Sequence, residues 1–206
     1  ADLTIKGFTE ETASESAAPG GGSVSALAGA LGAALGTMVA NLSAHKRGWD
    51  DRWEEFSGWA EKGKAYYSAL LRCVDEDTAA FNRLVDAFSL AKGTEAEKSS
   101  RKKAIQDATL NAMLVPLKVM QLASDSLEVM LAMVQTGNPN SVSDAGVGAL
   151  CARTAVQGAF LNVKINAKGL DDKDKVDEIL AEASAIDARA EILTEEILEM
   201  VEDRMQ

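Results

Sequence analysis

The feature that most constrains the fold is an uncharged segment from residue 24 to 42, built largely of small side chains. Small residues recur there at spacings of three and four: Ala26, Gly29, Ala33, Gly36 and Ala40. On an α-helix these positions share one face, and a face without large side chains lets a neighbouring backbone approach closely. The sequence PGGG precedes the segment, and Ser23 after it is a good N-cap. The pattern predicts a helix from Ser23 to about Ser43, packed closely on another helix.

The same segment has the length and the lack of charge of a membrane span, with a GxxxG pattern at Gly32 and Gly36. Its large apolar residues are few, so we predict a buried helix of a soluble protein instead.

The sequence begins ADLTIKGF, without the basic and apolar regions of a secretory signal. Cys73 and Cys151 lie far apart without metal-ligand spacing, which indicates two reduced core thiols. We therefore expect a cytoplasmic protein.

Composition excludes several classes of partner. The chain has 206 residues, of which 47% are hydrophobic, enough for one domain with its own core over residues 1–206. Its net charge of −11 argues against nucleic acid or an anionic membrane as a partner, because both repel an acidic protein. A small anionic ligand at a local basic patch stays compatible with this charge.

Helical periodicity runs through the whole chain, and alternation of the β-strand type is nearly absent. We therefore predict an all-α fold, a multihelical bundle of long antiparallel helices. The predicted helices cover residues 9–15, 23–43, 50–90, 96–136, 142–167 and 172–205. Pro116 lies inside the fourth of them and is expected to kink or split it.

The last predicted helix carries the most regular apolar seam of the chain. Its members step alternately by three and four residues: Val176, Ile179, Ala183, Ile186, Ala190, Leu193, Ile197 and Met200. Such a heptad seam predicts near-parallel or antiparallel packing on another long helix. The partner helix belongs either to this chain or to a second subunit, and the seam itself is compatible with both.

A carboxylate interrupts the apolar stripe of the third predicted helix. The stripe steps by four and three residues: Leu70, Val74, Asp77, Phe81, Leu84 and Phe88. Periodicity points Asp77 toward the same side as Val74 and Phe81, where an ionised carboxylate is costly unless it is paired or hydrogen-bonded. Two interpretations follow. Either Asp77 bonds a buried polar partner or caps a neighbouring helix, or it acts as a general acid and base.

Two further polar sets lie in the fifth predicted helix. Ser141 and Asp144 have the spacing of a capping box, which by itself explains both residues. Asn162 and Asn166 lie one turn apart within an apolar stretch, AFLNVKIN. Buried asparagines need hydrogen-bond partners. Those partners are either groups of a neighbouring helix or the donors and acceptors of a heteroaromatic ligand.

Four segments in order carry a family resemblance: PGGGSVSALAGALGAALGTMVANLS, DTAAF at 77–81, GNPNSVSDAG at 137–146 and NVKIN at 162–166. Together they resemble the formimidoyltetrahydrofolate cyclodeaminase / methenyltetrahydrofolate cyclohydrolase family, which includes the cyclodeaminase domain of formimidoyltransferase-cyclodeaminase. The resemblance spans nearly the whole chain, from Phe8 to the last helix. It implies a helical domain that forms a homodimer through its helices, with a tetrahydrofolate derivative as substrate and no metal.

The resemblance also implies roles for individual residues. Asp77 matches the expected catalytic residue. The residues implied in substrate binding are Gly20, Gly21, Gly22, Ser23, Asn41, Lys46, Asn138, Ser143, Asp144, Asn162 and Asn166. The three glycines either leave the donors of a helix N-terminus open to a ligand or simply form a tight turn. Lys46 with Arg47 either binds the glutamate tail of a folate or belongs to a solvated loop. His45 matches no family pattern, and we place it at the surface or at a pocket rim.

The activity implied is that of an ammonia-lyase, which converts 5-formimidoyltetrahydrofolate to 5,10-methenyltetrahydrofolate and ammonia in one-carbon metabolism and histidine degradation. The alternative is a methenyltetrahydrofolate cyclohydrolase that produces 10-formyltetrahydrofolate with the same pocket. A separately encoded formimidoyltransferase is a further partner compatible with the length of this chain. A third hypothesis, from another class, is a non-catalytic helical scaffold assembled through the seam at 176–200.

Overall fold

The computed structural model describes residues 3–206, which form six α-helices and no β-strand. The helices are α1 (Ile5–Thr12), α2 (Gly21–Ala44), α3 (Trp53–Ser89), α4 (Glu95–Thr136), α5 (Val142–Ala167) and α6 (Lys173–Met205). Short 3-10 turns at Asp50–Arg52 and Pro139–Ser141 precede α3 and α5. The predicted all-α class is thereby confirmed, and five of the six helices are long enough to build a bundle.

The uncharged helix α2 lies at the centre of this bundle, packed against α3, α4 and α5, and α6 packs on α4 and α5. Contacts at the two ends of α2 define its direction relative to α5. Gly21 lies beside Asn162, whereas Ser43 accepts a hydrogen bond from the backbone N–H of Asn138 at 2.8 Å. The two helices are therefore antiparallel. By length and composition α2 could cross a membrane, yet 61% of its most apolar stretch is buried inside the bundle.

The small residues of α2 let α5 approach to backbone contact, as the sequence predicts. A Cβ added at Gly32 would lie 2.6 Å from the carbonyl oxygen of Gly148 and 3.0 Å from the backbone nitrogen of Ala152. Both atoms belong to the backbone of a helix, so they cannot rotate away as a side chain can. The distance between α2 and α5 is thus set by the absence of a side chain at Gly32.

We expect Gly32→Ala to lower the free energy of unfolding by about 1–3 kcal/mol, because the added methyl group forces the two backbones apart. Denaturant titration of the purified variant measures this change. The matched control is Gly58→Ala in α3, where a Cβ meets no atom within 4 Å. That variant should gain up to about 1 kcal/mol from helix propensity. Equal stability of the two variants would contradict the close-packing argument.

The heptad seam of α6 packs against other helices of the same chain. Six of its eight members are buried: Val176, Ile179, Ala183, Ile186, Ala190 and Ile197. Its polar flank is tied to neighbouring helices as well, since Arg189 pairs with Asp125 of α4 at 2.8 Å and Asp187 pairs with Arg153 of α5. The seam therefore has its partners in α4 and α5, and it is not available as the interface with a second subunit.

Several predicted helix ends are wrong, each for a local reason. α1 covers Ile5–Thr12 rather than 9–15, because the Thr4 hydroxyl accepts from the Gly7 N–H and caps the helix early. α2 begins at Gly21, so Ser23 lies in its first turn and does not cap it. Ser141 makes no side-chain cap in the described structure, so the predicted capping box with Asp144 is absent. Asn138 instead caps the 3-10 turn that precedes α5.

Pro116 does not split the fourth helix, which runs unbroken from Glu95 to Thr136. The residue is buried together with most of the middle of α4. Proline removes one backbone hydrogen bond, but burial on several sides stabilises the flanking turns beyond that loss. Tertiary packing therefore overrides the local signal at this position.

Candidate active site

A cleft of about 270 Å³ opens at the N-terminal end of α2, between that end and helices α3, α4 and α5. Its polar lining consists of the backbone of Gly20–Gly22 and the side chains of Asp77, Asn162 and Asn166. Its apolar lining consists of Ala80, Phe81, Leu84, Ala112 and Ile165, with Ala17 and Ala18 at the turn. The cleft thus unites six of the twelve residues that sequence reasoning assigns to the site.

Asp77 is the only titratable side chain in that lining, and it is held in a defined orientation. Its Oδ2 accepts a hydrogen bond from the Ser23 hydroxyl at 2.8 Å. Its Oδ1 packs against Gly22, where an added Cβ would overlap the carboxylate. The first turn of α2 therefore surrounds Asp77, and the positive end of the helix dipole lies beside a negative group. Asp77 is half-buried, so it faces the cleft without being sealed in the core.

The stripe on which Asp77 lies does not continue into the core, contrary to the prediction. Leu70 and Val74 are buried, but Phe81 is 38% exposed and Phe88 is 54% exposed. The stripe passes from the core into the cleft at Asp77, because α3 extends beyond the N-terminal end of α2. Phe81 and Leu84 thus line the cleft, a role that apolar periodicity does not distinguish from core packing.

Asn162 and Asn166 both line the cleft, and each uses one amide hydrogen bond to the protein. The Asn162 Nδ2 donates to the Gly158 carbonyl of its own helix at 2.9 Å. The Asn166 Nδ2 donates to the Ala112 carbonyl of α4 at 2.8 Å, so one of its hydrogen-bond partners belongs to a neighbouring helix. A primary amide has a second donor and a carbonyl acceptor. Both side chains therefore combine a fixed orientation with groups that can face a ligand.

The position of Ser23 does not fit the substrate-binding role that the resemblance implies. Its side chain is fully buried beneath Asp77 and does not line the cleft. The hydroxyl also lies 3.3 Å from the Val74 carbonyl and 3.4 Å from the Thr78 hydroxyl. The geometry fits a residue that orients Asp77 better than one that touches a ligand.

We expect Ser23→Ala to lower kcat by about tenfold to a hundredfold with little change in KM, because a hydrogen bond to a charged group is lost. Steady-state kinetics of the folded variant give both constants. Ser126→Ala is the control, since Ser126 is equally buried but donates to Ala123 of its own helix. A rise in KM with an unchanged kcat in Ser23→Ala would support direct substrate contact instead.

The remaining implied residues lie at the opposite end of α2, and we call them the distal cluster: Asn41, Lys46, Asn138, Ser143 and Asp144. Asn138 is bonded to Ser43 as described, and the Lys46 ammonium lies 4.0 Å from the centroid of the Trp49 ring. Asn41 and His45 line a separate shallow cleft with Met38. Nineteen residues of helix separate Gly22 from Asn41, or about 28 Å. Within one chain the distal cluster therefore does not reach the cleft.

Two other kinds of chemistry find little support in the part of the chain that the structure describes. No group of three or more His, Cys, Asp or Glu side chains there is arranged to hold a metal ion. Both cysteines are free; Cys73 is buried as predicted, whereas Cys151 is only half-buried. Burial raises the pKa of the Cys73 thiol to about 11, so this thiol is protonated at neutral pH and is a poor nucleophile.

Comparison with known proteins agrees with the sequence resemblance. A family model described as Formiminotransferase-cyclodeaminase matches residues 4–185. The Methenyltetrahydrofolate cyclohydrolase of Methylorubrum extorquens is 36% identical over 202 residues, which cover 98% of this chain and 97% of that protein. The Formimidoyltransferase-cyclodeaminase of Mus musculus is 36% identical over 171 residues, which cover 83% of this chain. The match covers only 32% of the mouse protein, so the chain spans about a third of its length.

A solved structure resembles the fold over its full length. The crystal structure of formiminotetrahydrofolate cyclodeaminase from Thermotoga maritima superimposes with a TM-score of 0.88 at 27% sequence identity. The match covers 100% of this chain and 98% of that one. The family model, the sequence relatives and the shared fold agree, and the chain belongs to the formiminotransferase-cyclodeaminase family.

Proposed function

We propose that this protein is a folate-dependent one-carbon enzyme that converts 5-formimidoyltetrahydrofolate to 5,10-methenyltetrahydrofolate and ammonia. The observation that carries the proposal is Asp77, a single oriented carboxylate in a cleft whose other polar groups are amides and a helix N-terminus. Family membership suggests the folate scaffold, and the cyclodeaminases of mouse and Thermotoga maritima suggest the cyclodeaminase activity.

The reaction needs one proton removed and one proton delivered. N10 of the substrate attacks the formimino carbon on N5, and the five-membered ring closes as the C–N10 bond forms. The formimino group reacts in its protonated amidinium form, so attack leaves an amino group on the carbon. N10 then loses its proton, the amino group gains one, and the bond from carbon to that nitrogen breaks to release ammonia and leave the methenyl cation. A carboxylate within hydrogen-bond reach of both nitrogens can accept the first proton and donate it again. Asp77 is the carboxylate in the cleft lining, so we assign both transfers to it.

The rest of the cleft would hold the two reacting atoms together. Phe81, Leu84 and Ile165 offer apolar surface to the pterin ring, and the amides of Asn162 and Asn166 offer donors and acceptors to its edge. Binding that holds N10 against the formimino carbon lowers the entropic part of the activation barrier, because the reacting atoms are already in contact. The open backbone of Gly20–Gly22 allows a ligand to approach the helix N-terminus.

A methenyltetrahydrofolate cyclohydrolase is the second candidate. The Methylorubrum extorquens relative of that name matches almost the full length of both chains, unlike the mouse relative. In that reaction water adds to the methenyl carbon, the C–N5 bond breaks, and 10-formyltetrahydrofolate forms. Asp77 would then accept one proton of the attacking water and return it to N5, and the second water proton would pass to solvent as the formyl carbonyl forms. The same cleft serves both reactions, so only the assay separates them.

The experiment that tests these proposals supplies the purified protein with 5-formimidoyltetrahydrofolate and, separately, with 5,10-methenyltetrahydrofolate. Ammonia release with formation of the methenyl product supports the cyclodeaminase. Turnover of the methenyl compound alone supports the cyclohydrolase. Turnover of neither compound, with no folate-dependent rise in Tm, would overturn both and favour a protein without folate-dependent catalysis. A homodimer, a separately encoded formimidoyltransferase and a cytoplasmic location remain predictions.

A further inference from the structure

The candidate cleft has no partner for one part of the proposed substrate. Folates end in a glutamate whose two carboxylates are ionised at neutral pH, and proteins bind carboxylates with the charged donors of arginine and lysine. Among the described residues that line the cleft there is no lysine or arginine, and its charged side chain is the negative Asp77. Lys46 and Arg47 lie beyond the opposite end of α2, about 30 Å away within one chain. A closer set of cations would have to lie at the same end of the bundle as the cleft.

The densest positive charge of the chain lies at that end, at the tip of the α3–α4 hairpin. Residues 92–103 carry five cations and two carboxylates, in a chain whose net charge is −11. Four of these cations line one concavity of about 340 Å³, and we call them the basic tip: Lys92, Lys98, Arg101 and Lys102. Like charges gathered in one concavity repel one another, and the same field attracts an anion.

The basic tip keeps donors free for a ligand. Arg101 donates to the Phe88 carbonyl from Nε at 3.3 Å and from Nη2 at 2.9 Å, which fixes the guanidinium and leaves three of its five N–H groups open. Neither Arg101 nor Lys92 forms an ion pair within the described part of the chain. Lys98 and Lys102 form ion pairs of 2.7 and 2.9 Å, but these are exposed and therefore weak.

The basic tip and the cleft lie on the same side of the hairpin. Phe88 lies eleven residues after Asp77 on α3, and Arg101 lies eleven residues before Ala112 on α4. Eleven residues make about three full turns of helix and advance it by about 16 Å, so each pair shares one face. Asp77 and Ala112 both line the cleft, and Arg101 bonds to Phe88. Two paths of equal length along neighbouring helices therefore lead from the cleft to the basic tip.

Apolar side chains line this path. Phe81, Leu84 and Phe88 follow Asp77 along α3 at steps of four, three and four residues, and Ile105 borders the concavity of the basic tip. Phe81 and Phe88 are exposed, so their rings are open to a ligand. The part of a folate between N10 and the glutamate is a benzoyl ring with an amide, which packs well against aromatic and aliphatic side chains.

We propose that the groove along α3 and α4 is a tail subsite of the active site, in which the benzoyl ring of the folate lies along Phe81 and Phe88 and the basic tip binds the carboxylates of the glutamate tail. The proposal rests on the folate chemistry proposed above. It gives the exposed stripe of α3 a ligand, and it gives the positive charge at the hairpin tip a function.

The length of the groove makes the subsite selective for long tails. An extended folate places the carboxylates of its first glutamate roughly 10–13 Å beyond N10, and each further γ-linked glutamate adds about 6 Å. With N10 beside Asp77, the first glutamate stops short of Arg101, whereas a second and a third reach the basic tip. Four cations spread over an open concavity suit several carboxylates on a flexible chain better than one compact anion.

The first test compares substrates that carry one and three glutamates. In the wild type we expect a KM about tenfold or more lower for the longer tail, with kcat within about twofold, because the added carboxylates bind away from the reacting atoms. Lys92→Gln/Lys98→Gln should reduce this KM ratio to about twofold or less. The matched control is Lys6→Gln/Lys64→Gln, the same charge change at two exposed lysines elsewhere, which should keep the full ratio. Equal KM for both substrates in the wild type would overturn the tail subsite.

A second measurement identifies the anion. A γ-linked triglutamate peptide without the pterin should inhibit competitively, and more strongly than inorganic tripolyphosphate, which is a compact anion of similar charge. Salt should weaken this inhibition, because exposed charges are screened. Stronger competition by tripolyphosphate, with no dependence of KM on tail length, would make the basic tip a phosphate site and would overturn the proposal.

Binding measurements separate failure of the tail subsite from failure of the proposed function. If the wild type is active but its KM does not depend on the tail, the subsite fails and the enzyme assignment stands. If the wild type turns over neither folate, the proposed function fails, and equilibrium dialysis with tetrahydrofolate carrying one or three glutamates tests the subsite alone. Tighter binding of the longer form that is lost in Lys92→Gln/Lys98→Gln would support it. Equal binding of the two forms, or binding of neither, would overturn it.

Discussion

Asp77→Asn is expected to lower kcat by about 10²–10⁴-fold while the protein stays folded, because the amide cannot accept or return a proton. The amide keeps the shape of the carboxylate and can still accept from the Ser23 hydroxyl, so the cleft should keep its geometry. Steady-state assays with the preferred folate measure the loss, and circular dichroism checks the fold. The loss should appear in kcat far more than in KM, since the carboxylate acts on the reacting nitrogens.

The matched control for this prediction is the neighbouring carboxylate. Glu76 is paired with Lys118 at 2.8 Å at the partly exposed surface of α3 and α4, away from the cleft lining. Glu76→Gln should therefore leave kcat within about twofold, since a surface ion pair contributes about 0–1 kcal/mol to stability and nothing to proton transfer. Similar losses in both variants would indicate a general effect of charge. An Asp77→Asn enzyme with wild-type kcat would remove Asp77 from the mechanism.

Gly22→Ala is expected to lower kcat by about a hundredfold or more. The cause differs from that in Asp77→Asn, because the added methyl group displaces the Asp77 carboxylate. The added methyl group would overlap Oδ1 and also crowd Oδ2. The overlapped atoms are the end of a side chain and not backbone, so the protein can relax by rotating Asp77 away. Stability should accordingly change by less than about 1 kcal/mol, in contrast to Gly32→Ala. Activity and denaturant titration on the same preparation test both statements.

A double variant shows whether Gly22 acts through Asp77. If the methyl group only displaces the carboxylate, Gly22→Ala combined with Asp77→Asn should be no slower than Asp77→Asn alone, since coupled residues are not additive. An additive further loss would mean that Gly22 has a separate role, such as backbone contact with the substrate. Gly58→Ala, at an exposed helical glycine with open space around it, should leave kcat unchanged.

The two ends of α2 show how far local patterns predict the site. The glycine segment, Asp77 and the asparagine pair Asn162 and Asn166 were all identified from local sequence, and the structure brings them into one cleft. Asn41 comes from the same glycine-containing segment, and Lys46 follows it shortly afterwards, yet Asn41 lies about 28 Å from Gly22 along α2. Sequence patterns identify residues of chemical interest but contain no measure of which of them meet in the folded chain.

The apolar residues show the complementary limit. Phe81 and Leu84 follow core periodicity, yet they line the cleft, and the regular seam of α6 is compatible with a subunit interface but packs inside the chain. A helical period states which side chains share a face. It does not state what covers that face, because that depends on helices distant in sequence.

The sequence by itself determined the all-α class, the long helices, the close approach made possible by the small residues of α2, and Asp77 as the residue of greatest chemical interest. These properties follow from periodicity, side-chain size and the cost of burying a charge, which act within one or two helical turns. Only the tertiary structure decided that Ser23 orients Asp77 rather than capping α2, that Pro116 is tolerated, and that Phe81 lines the cleft instead of the core. Each of these depends on which distant helix lies alongside, and that is settled by the packing of the whole chain.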